Sequence, residues 1–275
     1  MILGFSCLYF NFKETNMISG SRIVVLKLVV FAGLVSSLGA CAEGIDESSQ
    51  YMIQQRQKMG LVIILPGIEG ESSNNFDIRS GLVQAGCMRA IGIYNWGFPV
   101  PGLLGLWENQ TDTARDREEG EKIANRIAEY KSQFPNKPVY IIGHSGGGGV
   151  AVFAAESLPD NCKIEGLILL SASLSNDYNL TTALAKCKNG ILNFYSPRDG
   201  ILPATEIIGN VDGGHSPSAG LTGFIGSYPR LFQIKATPEM TRNTGGIQHC
   251  AATKPGFVIK YIAPWIHATS WPIKY

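Results

Sequence analysis

Ser145 lies in Gly143-His144-Ser145-Gly146-Gly147, a G-x-S-x-G pattern. A serine hydroxyl can attack a carbonyl carbon, but at neutral pH it is a poor nucleophile. It needs a base within hydrogen-bond reach, usually a histidine that a carboxylate orients in turn. The chain contains four histidines. His144 directly precedes the serine, so its side chain points elsewhere and has a structural role, and His267 lies near the end of the last helical pattern, at the periphery. His215 and His249 remain as bases. The carboxylates that follow apolar runs are Asp199, in Ser196-Pro197-Arg198-Asp199-Gly200, and Asp177. The chemistry these residue types support is acyl transfer through a covalent intermediate.

Elements must present these groups. Val139 to Ile142 is a β-branched run of the kind that forms a buried strand, and Val150 to Glu156 has helix-forming composition. In a chain with 32 glycines the bare pattern says little, and its place between strand and helix is what gives it weight. A serine on so sharp a turn has a strained backbone, for which Gly143 and Gly147 leave room because they lack a Cβ. The first amide of the new helix, Gly146 N–H, is half of an oxyanion hole. The other half is expected where the strand Leu61 to Leu65 ends in Pro66-Gly67-Ile68-Glu69-Gly70, with Ile68 N–H as the donor and Gly67 next. Gly146, Gly148 and Ala151 also fit a dinucleotide G-x-G-x-x-A turn. That fingerprint normally opens the first βα unit, however, and two strand candidates precede this one.

The remaining pattern alternates strands and helices. It predicts a helix over Asn75 to Ala85 and a strand over Arg89 to Trp96. Next come an apolar, proline-bearing loop from Gly97 to Trp107 that either walls a substrate pocket or packs on the domain, and a helix capped by Thr113 and Asp116. Ile123, Ile127 and Tyr130 recur on that helix at core spacing. Further strands are expected at Ile164 to Leu170, Ile191 to Tyr195 and Leu231 to Ala236. Helices are expected at Tyr178 to Ala185 and Phe257 to Ile266, with a long Gly/Ser/Pro loop over residues 204 to 229. This is α/β: a mostly parallel central sheet with helices on both faces and a small or absent lid. His249 falls just after the last strand and just before the closing helix, a position that favours it over His215.

In the order Ser145, Asp199, His249, with the Leu65-Pro66-Gly67 turn ahead of them, the chain resembles the α/β-hydrolase superfamily, serine esterase and lipase-like. The resemblance spans about residues 60 to 266. It implies Ser145 as nucleophile, His249 as base, Asp199 as the orienting acid and the Gly146 and Ile68 amides as oxyanion hole. His215 is the alternative base and Asp177 the alternative acid. Pro66 departs from the His-Gly form common among lipases. The implied reaction is hydrolysis of a small-molecule carboxylic ester with no metal or organic cofactor. The same fold also cleaves peptide and other acyl bonds, and a surface lipoprotein can keep it as a binding module without chemistry.

Composition bounds the setting. At 275 residues, 45% hydrophobic and 16% charged, the chain suits one α/β domain, and a net charge of +1 without long like-charge runs argues against nucleic acid as a partner. Ser21-Arg22 and Lys27 precede the apolar run Leu28 to Leu38, which reads as a secretory signal too short to span a bilayer, with Met17 as a second possible start. Leu38-Gly39-Ala40-Cys41 resembles a lipobox, which makes residues 1–41 a signal segment cleaved before a lipidated Cys41 and confines membrane contact to that N-terminus. Ala40-Cys41-Ala42 also fits ordinary signal cleavage, so the location is the bacterial cell envelope or a periplasmic or extracellular space. Residues 42–58 read as a tether and 59–275 as the catalytic domain. Cys87, Cys162, Cys187 and Cys250 have no metal-site spacing. Cys162 and Cys187 precede adjacent strands at similar offsets and are expected either to pair as a disulfide or to stay buried thiols. The oligomeric state is left open.

Overall fold

The computed structural model describes residues 44–97, 108–242, 244 and 248–273. The apolar runs form strands β1 (Gly44–Ile45), β2 (Leu61–Leu65), β3 (Ala90–Asn95), β4 (Val139–His144), β5 (Ile164–Leu170), β6 (Cys187–Tyr195) and β7 (Leu231–Lys235). They make one sheet in the order β1-β3-β2-β4-β5-β6-β7, parallel throughout except for β1, which runs antiparallel to β3. Both faces of the sheet are covered. Leu61, Ile63 and Leu65 pack into one core with Ile123, Ile127 and Phe153, while Val62 and Ile64 pack into the other with Ile78, Leu82, Phe257 and Val258. Burial on both sides is why these strands are continuously apolar instead of alternating.

Four helices matter for the site: α1 (Ser73–Gln84), α2 (Thr113–Gln133), α3 (Gly146–Glu156) and α4 (Thr181–Lys186). The Ser72 hydroxyl and the Asn75 side chain form a reciprocal capping box that starts α1. The cap of α2 falls one residue before the expected Thr113: the Asp112 carboxylate accepts from Arg115 N at 3.1 Å. Helix α4 starts three residues later than expected, and β6 is longer because Cys187 and Gly190 already pair with β5. The loop over 204–229 contains two short helices, Thr205–Ile208 and Ala219–Thr222. The chain closes through Pro255–Phe257, a π-helical turn at Val258–Ile262 and Ala263–His267. Pro264 has no N–H to continue an α-helical ladder, which accounts for the wider turn before it.

Two expectations need correction. The segment read as a tether is in part built into the domain: Gly44 pairs with Asn95 and Ile45 with Tyr94, Met52 is buried, and Arg56 donates to the Cys87 and Arg89 carbonyls at 3.1 Å each. The Cys162–Cys187 disulfide is not formed; both are buried free thiols, as are Cys87 and Cys250. Register is the reason. Ile164, not Cys162, stands opposite Cys187, and two residues of offset carry Cys162 out of reach of a disulfide. Cys41, the rest of the signal segment and nearly all of the proline-bearing loop, residues 98–107, lie outside the described residues.

Candidate active site

Strand β4 lies mid-sheet, with Leu65 of β2 beside Gly143 and Leu170 of β5 beside His144. The next residue, Ser145, turns at φ 53° and ψ −124° and is the N-cap of α3. This is a sparsely populated conformation for a residue with a Cβ, and the packing around it holds it there. A Cβ on Gly147 would come within 2.6 Å of the Leu65 carbonyl oxygen, and one on Gly143 within 2.7 Å of the Gly148 Cα. Strand and helix can therefore cross this closely only with glycine at both positions.

The turn after β2 faces the first turn of α3. A Cβ on Gly146 would sit 2.7 Å from Ile68 Cγ2, so the two expected oxyanion donors belong to adjoining backbone. Neither the Ile68 nor the Gly146 N–H donates to a hydrogen bond among the described residues. The turn is held by side chains that carry no recognisable pattern in the sequence. Trp96 Nε1–H donates to the Pro66 carbonyl and Asn109 Nδ2–H to the Ile68 carbonyl, both at 2.8 Å. Two unengaged amides aimed from a helix start and a fixed turn can stabilise a developing oxyanion.

Asp199 follows β6 and His249 stands in the 3-10 turn Gln248–Thr253 after β7. Their side chains meet in a buried hydrogen bond, His249 Nδ1 to Asp199 Oδ2 at 2.7 Å. Asp199 Oδ1 accepts from the Ile201 and Leu202 amides at 2.9 and 3.1 Å, so the carboxylate cannot rotate away. With its proton fixed at Nδ1, the His249 ring has Nε2 as its basic nitrogen. Burial disfavours both charges, yet each partner offsets it in the other: the His249 pKa lies above the ordinary value and that of Asp199 below it.

His144 connects this pair to the serine. Its Nε2–H donates to the His249 carbonyl at 3.1 Å, and the two rings lie 5.0 Å apart. Burial, then the nearby His249, push its pKa down to about 3, so it stays neutral beside His249. The expected structural role of His144 thus places it against His249, which its position in the elbow alone did not indicate. The Ser145 hydroxyl makes no hydrogen bond among the described residues, and in unliganded sites such contacts commonly tighten only on substrate binding.

The alternatives lie elsewhere. His215 is exposed, with Nδ1 3.2 Å from the Glu206 carbonyl. Asp177 is exposed and accepts from the Ser216 hydroxyl at 2.8 Å. His267 is also exposed, on the Ala85 carbonyl. Among the described residues no group of three His, Cys, Asp or Glu could hold a metal ion. Like Trp96 and Asn109, Glu69 escaped sequence reasoning as a site residue; its side chain is 4% exposed and points at His144.

The family model described as serine aminopeptidase, S33 (Hydrolase_4) matches residues 57–219, more than half of the chain. The chain belongs to this family. It is a hydrolase with the α/β-hydrolase fold, and the match runs from before β2 through the elbow to the helix at Ala219–Thr222. Among solved structures, it is similar to Aspergillus fumigatus lipase B at 13% identity and a TM-score of 0.50, covering 80% of this chain and 54% of that one. It thus spans about half the length of that lipase. The esterase domain of a Rhodothermus marinus protein is similar at 13% identity and a TM-score of 0.43, covering 77% and 87% of the two chains. A putative α/β-superfamily hydrolase from Xanthomonas campestris pv. campestris is similar at 14% identity and 0.40, covering 72% and 96%. Identities this low speak to the fold alone. No curated protein matches the chain.

Proposed function

We propose that this hydrolase cleaves carboxylic esters through an acyl-enzyme intermediate on Ser145. The observation that carries the reading is the buried Asp199–His249 hydrogen bond of 2.7 Å, held against His144, the residue next to a strained serine. In the first step Ser145 Oγ bonds to the ester carbonyl carbon while its proton passes to His249 Nε2, and the oxyanion rests on the Gly146 and Ile68 amides. The tetrahedral species then breaks the bond to the alcohol oxygen, which takes the proton from His249. Water attacks the acyl group in the same way, giving its proton to His249, and the carboxylic acid leaves as Ser145 is restored. Rapid mixing with an activated nitrophenyl ester tests this. The reading expects a burst of about one nitrophenol per active site, absent from Ser145→Ala. Steady turnover without any burst and unchanged by Ser145→Ala counts against it.

A second reading, amide cleavage, draws on the family description, serine aminopeptidase. Aminoacyl nitroanilides run beside nitrophenyl esters separate the two: the ester reading expects the higher kcat/KM on esters by more than their intrinsic reactivity accounts for. The N-terminal run and Cys41 further support export with lipid attachment at the cell envelope. Metabolic labelling with an alkyne fatty acid should mark the protein and fail in Cys41→Ala, whereas equal labelling of both, or of neither, contradicts anchoring at Cys41.

A further inference from the structure

Glu69 follows the proposed oxyanion donor Ile68 and turns its side chain inward, to 4% exposure. One carboxyl oxygen, Oε2, occupies the space that a Cβ on Gly67 would need, so the carboxyl lies against the turn itself. The other, Oε1, is 3.8 Å from His144 Nδ1 and accepts from the Ser72 hydroxyl at 3.3 Å. His144 Nδ1 is buried and has no hydrogen-bond partner among the described residues. Its tautomer follows from the opposite side of the ring. The His249 carbonyl can only accept, so His144 carries its hydrogen at Nε2 and presents a bare acceptor at Nδ1. A buried acceptor left unpaired is destabilising, and the Glu69 carboxyl is the group that faces it.

We propose that Glu69 is a positioning residue for the catalytic base: its carboxyl group hydrogen-bonds His144 Nδ1 and, through His144, holds the backbone of His249 in place. The inference rests on the reading of His249 as the base for Ser145. The donor is the acid form of Glu69, because a carboxylate has nothing to give to a bare nitrogen. Its surroundings favour that form: burial pushes the Glu69 pKa up, against smaller opposing contributions from its own backbone amide, His249, Asn74 and Ser72. Cys250, buried on the same side, and Lys254 and Asp199, which act on His144, complete the titratable groups facing the pair. Asp199 thus fixes the His249 ring from its side chain, while Glu69 and His144 fix it from its main chain.

Glu69→Gln keeps the shape and supplies an amide N–H to Nδ1; Glu69→Ala removes the donor. Three readouts are taken on the full chain: the rate of fluorophosphonate labelling, the pH profile of kcat/KM on a nitrophenyl ester, and the histidine nitrogen NMR spectrum. Glu69→Ala is expected to slow labelling and kcat/KM by about 10- to 100-fold through misplacement of the base. Glu69→Gln is expected to stay within about threefold of the wild type with the acid limb of its profile unmoved. The wild-type His144 Nδ1 resonance should show an accepted hydrogen bond that Glu69→Gln keeps and Glu69→Ala loses. Glu69→Ala labelling at the wild-type rate overturns the proposal, as does an equal downward shift of the acid limb in both variants, which would make Glu69 a charge acting on His249. A free-acceptor resonance for His144 in the wild type overturns it too, and that result stands even if Glu69→Ala fails to fold. If the wild type itself does not label, it is the hydrolase mechanism that fails, while the nitrogen spectrum still decides whether Glu69 holds His144.

Discussion

At the residue scale, two buried histidines 5.0 Å apart carry opposite pKa shifts, and that difference assigns their roles. His144, pushed down to about 3 by burial first and by His249 second, never competes for the proton. His249, for which the Asp199 carboxylate and its hydrogen bond outweigh burial, is the one that can hold it. The base works only when neutral, and its pKa lies above the ordinary 6.5, so kcat/KM on an ester should rise with pH through a midpoint above 6.5. Asp199→Asn removes the compensating charge but leaves the burial. The midpoint should then fall below that of the wild type and kcat by about 10³- to 10⁴-fold, measured by initial rates across pH. An unchanged midpoint in Asp199→Asn contradicts the assignment of the acid.

At the element scale, the elbow depends on how closely β2, β4 and the start of α3 approach. Gly147→Ala pushes a Cβ against the Leu65 carbonyl, backbone that cannot swing aside, whereas a Cβ on Gly200 meets nothing within 4 Å. Gly147→Ala should lower stability by about 1–3 kcal/mol and abolish Ser145 labelling, with Gly200→Ala close to wild type in both, as read by urea unfolding and labelling of the folded fraction. Much of this was legible in the sequence. The apolar runs of β2 to β7 and the glycine-bounded serine state their element type directly, and Asp199 and His249 follow β6 and β7 as strand-ending residues do in this fold. What was not legible is burial that arises only in three dimensions. Glu69 in a glycine turn looks like any solvent-facing glutamate, and nothing about Asn109 foretells that it would hold the Ile68 carbonyl. The two-residue β1 is too short to show a period, and the similar offsets of Cys162 and Cys187 hid a register that separates them.

At the scale of the whole molecule, the parallel sheet brings residues from three distant turns to one end, and stability must accommodate acids buried along the way. Asp116, in the first turn of α2, is fully buried and neither carboxyl oxygen has a hydrogen-bond partner among the described residues. Burial above all raises its pKa from 3.8 to about 8. The folded state then binds a proton that the unfolded state releases, so this site's contribution to stability is intact below pH 3.8 and is lost as pH rises towards about 8. Asp116→Asn should flatten that slope and raise stability at pH 8 by about 2–5 kcal/mol, measured by denaturant unfolding at a series of pH values. A slope unchanged by the substitution means that Asp116 is not the acid responsible. The most direct test of the central claim, that Ser145 is activated by the Asp199–His249 pair, is fluorophosphonate labelling of the folded protein, with the modified peptide mapped by mass spectrometry and His249→Ala run in parallel. The account predicts labelling at Ser145 that collapses in the variant. A folded wild type that does not label, or a variant that labels at the wild-type rate, contradicts it.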